Sequence, residues 1–331
     1  MNKRKINGGP IPRIVVIGGG TGLAVMLRGL KQLPVSITAI VTVADDGGSS
    51  GRLRSDMGMP PPGDIRNVLV ALADTEPMLE KVLQYRFRNG NGLAGHNLGN
   101  LFLAAMQDIT GDFTHAIREM SRVLAVRGQV LPATGQEVTL HAVMTDGSCV
   151  KGESQIPLAG KQIRRVFLEP EDARPIPEAL EAIEAADAIV IGPGSLYTSI
   201  LPNLLVRGMA EAVRASRGRT IYICNVMTQP GETDGYTAFD HLDAIHRHVG
   251  DCLIDTIILN KETPPAAILQ QYAEEGATMV QPDIKRLQAA GCHVWADNLI
   301  QYRTVLRHDA ERLSRMILQL AQEYRAGRNS G

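Results

Sequence analysis

RIVVIGGGTGLAVMLRGLKQLPVSITAIVTVADDGGSSGRLR, residues 13–54, decides the fold. IVVI at 14–17 is a β-branched run that ends in GGGTG. LAVMLRGLKQL at 23–33 carries apolar residues at helical spacing, and SITAIVTV at 36–43 is a second apolar strand. A strand, a helix and a strand in this order predict a parallel pair joined by a right-handed crossover. The second strand runs into two adjacent carboxylates, Asp45 and Asp46, followed by glycines, serines and two arginines. Turning a corner does not require such a sequence.

Outward from there, MGMPPPGD at 57–64 is a loop. Residues 64–125 predict helices and no strand: DIRNVLVALAD, EPMLEKVLQYRF, HNLGNLFLAAMQDI and FTHAIREMSRVLAV. RGQVLPAT, EVTLHAVMTDGSCVKG and QIRRVFLEP are short runs with turn signals between them, which predicts an antiparallel insertion over 126–170. The α/β rhythm returns at 175, with strands at 187–191, 219–224, 254–260 and 292–296 and a last helix in DAERLSRMILQLAQEYRAG. The expectation is one large α/β domain over 1–331. It comprises a first β-α-β unit with a helical cluster (12–125), the insertion, and a second α/β half (175–326). The sheet is doubly wound and mainly parallel. Ligands of such sheets sit beyond the carboxyl ends of the strands.

Composition narrows the function. The chain has 331 residues, 34 basic against 35 acidic, and a net charge of -1. That leaves no electrostatic footprint for nucleic acid or for an anionic membrane. A local anion site needs only a few groups. No apolar run is long enough to span a bilayer, and the basic N-terminus lacks the apolar stretch of a signal peptide. Cys149, Cys224, Cys252 and Cys292 form no C-x-x-C pair, and they read as free thiols of a reducing compartment. The expected location is the cytoplasm.

The loops after the strands carry the chemistry. Gly18-Gly19-Gly20-Thr21-Gly22 opens a helix, where free N–H groups favour an anion. It departs from G-x-G-x-x-G because Leu23 stands at the third glycine, and no Walker lysine follows. A tight structural turn is the alternative. Asp45 and Asp46, with Ser49 nearby, suit ribose or sugar hydroxyls or a hydrated magnesium ion. The alternative there is an Asx turn and a flexible loop. Gly192, Gly194 and Ser195 form a second glycine turn. Asn225 opens a loop rich in amides, hydroxyls and acids that runs to Tyr236, and Asn260-Lys261 ends the next strand. In GHNLGN, Asn97 and Asn100 are three apart, as caps or as ligand contacts. In GDIRN, Asp64 reads as an N-cap with Arg66 and Asn67 beside it. Arg307 could clamp a phosphate bidentately, or simply stand before a helix capped by Asp309.

GGGTG, VADDGGSSGRLR, PPGDIRN, GHNLGN, IGPGSLYTSILPNLL, CNVMTQPGETDGY and RHD together resemble the CofD-like superfamily, and within it the YvcK branch of gluconeogenesis factors. The resemblance spans about residues 13–320. It implies a Rossmann-like, three-layer fold. CofD proteins transfer phospholactate from a guanine-nucleotide-activated donor to a deazaflavin precursor with magnesium. YvcK-type proteins resemble UDP-sugar-binding factors, needed for cell shape and peptidoglycan synthesis on gluconeogenic carbon sources, with no settled catalytic activity. GDIRN and GHNLGN stand where CofD proteins carry further acids. Arg66, Asn97 and Asn100 replace carboxylates there, which suits recognition of sugar hydroxyls.

The expected site follows. Gly19, Gly20, Thr21, Gly22, Gly192, Gly194 and Ser195 donate to a diphosphate, and Asn225 holds the remainder. By the resemblance, Tyr272 and Arg307 contact the uridine nucleotide through stacking and charge, with an ordinary amphipathic core position as the rival reading of Tyr272. Asp45, Asp46, Ser49, Asp64, Asn67, Asn97 and Asn100 face the sugar or an acceptor, and Asp45 and Asp46 are the candidate magnesium ligands. The expected ligand is UDP-N-acetylglucosamine or a relative, and the expected partner an unidentified cell-wall protein. A homodimer stays open. The rival functions are a phospholactate transferase and an NAD-binding protein.

Overall fold

The computed structural model describes residues 11–302 and 306–329. Strand β1 (Arg13–Gly18), helix α1 (Gly20–Leu30) and strand β2 (Ser36–Val41) form the opening unit, and β1 and β2 pair in parallel. Five helices follow: α2 (Gly48–Met57), α3 (Gly63–Leu72), α4 (Pro77–Gln84), α5 (Leu98–Thr110) and α6 (Phe113–Val123). Then come β3 (Gln129–Pro132), β4 (Thr139–Met144), β5 (Cys149–Lys151) and β6 (Ile163–Glu169). The second half runs through α7 (Pro177–Glu184), β7 (Ala188–Ile191), α8 (Leu201–Leu204), α9 (Met209–Ala215) and β8 (Arg219–Ile223). It continues with α10 (Ala238–Val249), β9 (Thr256–Asn260), α11 (Ala266–Glu274), α12 (Ile284–Ala289) and β10 (His293–Asp297). A hairpin of β11 (Ile300–Tyr302) and β12 (Leu306–His308) leads into α13 (Ala310–Asn329).

Seven strands form one sheet in the order β10-β9-β8-β7-β1-β2-β3, with every pairing parallel. β1 lies between β2 and β7. The chain winds one way from β1 to β2 and the other way from β7 through β8 and β9 to β10. The junction of β1 and β7 is therefore the switch point. The central strands are continuous apolar runs because helices cover both faces: IVVI of β1 and AIVI of β7 are buried throughout. α1 turns Leu23, Met26, Leu27 and Leu30 inward, a stripe at helical spacing. Among the described residues no helix is long and apolar enough to cross a membrane.

Four details differ from the sequence reading. Gln129–Pro132 is not part of the antiparallel insertion, which consists of β4, β5 and β6. It pairs in parallel with β2 as the edge of the main sheet, where Pro132 is tolerated. Gly48–Met57, read as a loop, is helical although only Leu53 among its large apolar side chains is buried, and Gly58 ends it in the left-handed conformation. Asp64 is not an N-cap. It lies in the first turn of α3, after Pro62. The β11–β12 hairpin was not anticipated.

α1 and α13 are in close contact, with Gly29 at their crossing. A Cβ on Gly29 would stand 2.4 Å from the Ala310 carbonyl oxygen. Helix propensity alone makes Gly→Ala worth about 1 kcal/mol in favour of the variant. Gly29→Ala is expected instead to lose about 1–3 kcal/mol through overpacking, read as a lower urea midpoint at unchanged m-value.

Candidate functional site

At the carboxyl ends of β1, β7 and β8 the loops enclose a cleft of about 300 Å³. Its floor is Gly19–Gly22 with Val25, and its opposite wall is Pro193, Gly194, Ser195 and Ser199. The two glycine turns touch. A Cβ on Gly22 would lie 3.3 Å from the Pro193 carbonyl oxygen, and one on Gly194 the same distance from that of Gly19. Gly20 and Gly192 take positive φ, +71° and +80°, which only glycine adopts without strain. Asn203, fully buried, fastens the turns together by donating to the carbonyls of Gly18 (3.1 Å) and Ser199 (2.7 Å).

The β8 loop supplies Asn225, Val226, Met227 and Gln229. Asn225 Nδ2 donates to the Gly194 carbonyl at 2.9 Å, and Gln229 Nε2 donates to Ser195 Oγ at 2.7 Å. The Ser195 hydroxyl proton is thereby free for a ligand. Tyr272 of α11 and residues 306–308 close the remaining side. The Tyr272 hydroxyl accepts the Leu306 N–H at 2.8 Å, which holds the β11–β12 hairpin against α11. His308 lies 3.2 Å from the Cys224 carbonyl through Nε2, and burial pushes its pKa down to about 4, so it is neutral. Nε2 is then the protonated nitrogen, donating to that carbonyl. Arg307 is exposed and has no hydrogen bond or ion pair among the described residues. The N–H groups of Thr21, Gly22, Gly194 and Ser195 likewise have no partner among the described residues.

A group of acids lies behind the glycine floor. Asp64 accepts the Gly20 N–H, and a Cβ on Gly19 would collide with its Oδ2 at 2.4 Å. Desolvation, then repulsion from Asp45, pushes Asp64 up to about 7, and Asn67 donates to it. Asp45 closes an Asx turn by accepting the Gly47 N–H at 2.9 Å, is bonded by Ser50, and is raised by burial. Asp46 accepts the Ser154 N–H at 2.8 Å and so ties α2 to the antiparallel insertion. Glu153 comes from that insertion. Its pKa is raised to about 8 by burial, then by Asp45, Asp64, Glu232 and Asp46. Glu232 accepts the Thr198 hydroxyl (2.9 Å) and the Tyr197 N–H (3.2 Å), and burial raises it to about 7.

The family model described as 2-phospho-L-lactate transferase CofD matches residues 14–300. The chain is 59% identical over 307 residues to a gluconeogenesis factor of Halalkalibacterium halodurans, covering 92% of this chain and 95% of that one. It is 56% identical over 316 residues to a gluconeogenesis factor of Bacillus subtilis, covering 95% and 100%. A crystal structure of a UPF0052 family member from Bacillus halodurans superposes with a TM-score of 0.91 at 58% identity, over 94% of this chain and all of that one. The chain belongs to the CofD family. Its named relatives are gluconeogenesis factors.

Seen as a CofD-family site, the expected residues divide. Gly19, Gly20, Thr21, Gly22, Gly194, Ser195, Asn225, Tyr272 and Arg307 meet in the cleft, while Gly192 is not part of its lining and packs against Ile200 and the Ile223 carbonyl. The N–H of Gly20 is already taken by Asp64. Asp45, Asp46, Ser49, Asn67, Asn97 and Asn100 do not line the cleft. Asn97 caps α5 through its side chain, and Ser49 accepts the Asn97 N–H. The sequence assigns no individual role to Ser199, Gln229, His308, Glu153 and Glu232. Gln229 and Glu232 lie inside the quoted MTQPGETDG motif, whereas Glu153 carries no local signal. For magnesium, the donor set does not converge. Asp45 turns to Gly47 and Ser50, Asp46 to Ser154, and among the described residues no three acids, histidines or cysteines are placed to hold a metal ion. No chemistry is therefore routed through a metal.

Three folded-state carboxyls, Asp64, Glu153 and Glu232, hold protons to about 7, 8 and 7. In the unfolded chain they release them near ~4. The folded form thus binds more protons in between. The stability these groups contribute is complete below ~4 and is lost as pH rises through 7–8. The denaturant midpoint is expected to fall between pH 5.5 and pH 8.5, and Asp64→Asn is expected to flatten that slope.

Proposed function

We propose that the chain is a cytoplasmic nucleotide-sugar sensor. UDP-N-acetylglucosamine or a close relative binds the switch-point cleft. The loaded form then supports cell-wall synthesis and cell shape through a protein partner during growth on gluconeogenic carbon sources. The observation that carries this reading is the pairing of two glycine turns across one cleft from Arg307, with N–H groups and a guanidinium that have no partner among the described residues. Two anion cradles facing each other match a diphosphate better than a single phosphate. Tyr272 offers a ring at the same wall, and its hydroxyl is already satisfied by Leu306. Asn225 and Gln229 line the same cleft, where amides can meet the sugar's hydroxyls. The relatives' name, gluconeogenesis factor, supports the physiological side.

The transferase reading draws on the acid group and on the description of the family model. It needs those acids to gather around magnesium, and their hydrogen bonds direct them apart. Thermal-shift measurements separate the readings, because a ligand that binds only the folded state stabilises it. UDP-sugars are expected to raise Tm without being consumed. Magnesium-dependent consumption of an activated donor would favour the transferase, and stabilisation by NAD alone would contradict both. Arg307→Ala should weaken UDP-sugar binding about ten- to hundredfold, the range for loss of a charge-assisted hydrogen bond, as measured by calorimetry, while leaving the denaturant midpoint of the free protein unchanged.

A further inference from the structure

We propose that the first turn of α2, with the guanidinium groups of Arg66 and Arg86, forms a second anion site for the phosphoryl group of a small molecule. It is separate from the nucleotide-sugar cleft and does not depend on what that cleft binds. None of these residues lines the cleft.

α2 is ten residues long and begins without a side-chain cap. The N–H groups of Gly48, Ser49 and Ser50 have no partner among the described residues. The serine side chains cannot supply one, because both are engaged elsewhere. Ser49 Oγ accepts the Asn97 N–H at 3.2 Å and lies 3.2 Å from His96 Nδ1. Ser50 bonds Asp45 and lies 3.5 Å from Asn100 Nδ2. A bare helix start of this kind favours an anion.

Arg66 is the independent observation. It is only 9% exposed, its Nε is enclosed without a partner, and its side chain makes no hydrogen bond or ion pair among the described residues. Its stem passes over Gly99 of α5, where a Cβ would stand 2.9 Å from Cγ and 3.0 Å from Cδ. Gly99 thus makes room for the Arg66 stem against α5. Arg86 enters from the mouth. Its Nη1 donates to the Gly95 carbonyl at 2.7 Å and lies 3.7 Å from where a Cβ on Gly48 would be. Arg86 is the strongest charged neighbour of Arg66. Two cations are therefore brought together, and neither Asp45 nor Asp64 forms an ion pair with them. Asp64 and Asp45 act on Arg66 only through space, and a buried guanidinium whose N–H groups lack a direct partner is costly. An oxyanion between the two arginines and the helix start would meet the terminal guanidinium nitrogens and the free N–H groups of the helix start, and arginine suits phosphoryl oxygens through its planar fork. Gly48 and Arg86 are exposed while Arg66 is buried, so the site admits a terminal oxyanion and leaves the rest of its carrier in solvent.

The test uses the full chain with orthophosphate and glycerol 3-phosphate as probes, at constant ionic strength. Both binding, or orthophosphate alone, supports the site; the first assigns a phosphomonoester and the second the free ion. Arg86→Ala, at an exposed position, should weaken phosphate binding about tenfold, and Arg307→Ala should leave it unchanged. Crystals soaked in tungstate should show a tungsten peak touching Arg66 and Arg86. A thermal shift matched by chloride, phosphate binding lost in Arg307→Ala but kept in Arg86→Ala, or a tungsten peak only in the cleft would overturn the proposal.

Discussion

The parallel pairing of β1 with β7 brings two glycine turns into backbone contact, and the rest of the site is arranged around that contact. Ile14 pairs with Ala188 and Ile17 with Ile191, so both strands end at the same level. The turns that leave them come within 3.3 Å of a carbonyl at the positions of Gly22 and Gly194. A Cβ at either position would force the facing turn to give by a few tenths of an ångström. Asn203 reaches in from α8 and binds both sides. The consequence is chemical: N–H groups that a looser junction would give to water are left aimed into one cleft.

Charge is sorted around this junction. Arg307 faces the cleft, the acids lie behind the glycine floor, and Arg66 and Arg86 lie beyond the acids. Asp64 is the hinge of this order, because it takes the N–H of Gly20 while sharing the field of Asp45 and Arg66. An ionised carboxylate so near an anion site would repel the ligand. With a pKa near 7, Asp64 can take up a proton when an anion arrives.

The central sheet was legible in the sequence because buried parallel strands are continuous apolar runs and α1 keeps a helical stripe. The misses have physical causes. β3 is four residues long, ends in proline, and follows a helical region, so its partner β2 lies far away in sequence. α2 turns just one large apolar side chain, Leu53, into the core, so no periodicity marks it. At the site, the sequence located the loops that reach the carboxyl edge but not the direction of each side chain. Asp46 looks like a ligand group beside Asp45, yet it is bonded to Ser154, more than a hundred residues away. Asn97 looks like either a cap or a contact, and the cap is what forms. Glu153 enters the acid group only because the antiparallel insertion folds over α2, a long-range event with no local signature.

The central claim is that the two glycine turns and Arg307 hold one nucleotide diphosphate between them. The most direct measurement is a crystal structure of the full chain grown with saturating UDP-N-acetylglucosamine. The account predicts diphosphate density between Thr21–Gly22 and Gly194–Ser195, with the Arg307 guanidinium upon it and the base against Tyr272. A ligand bound elsewhere on the molecule, with this cleft holding only solvent, would contradict it.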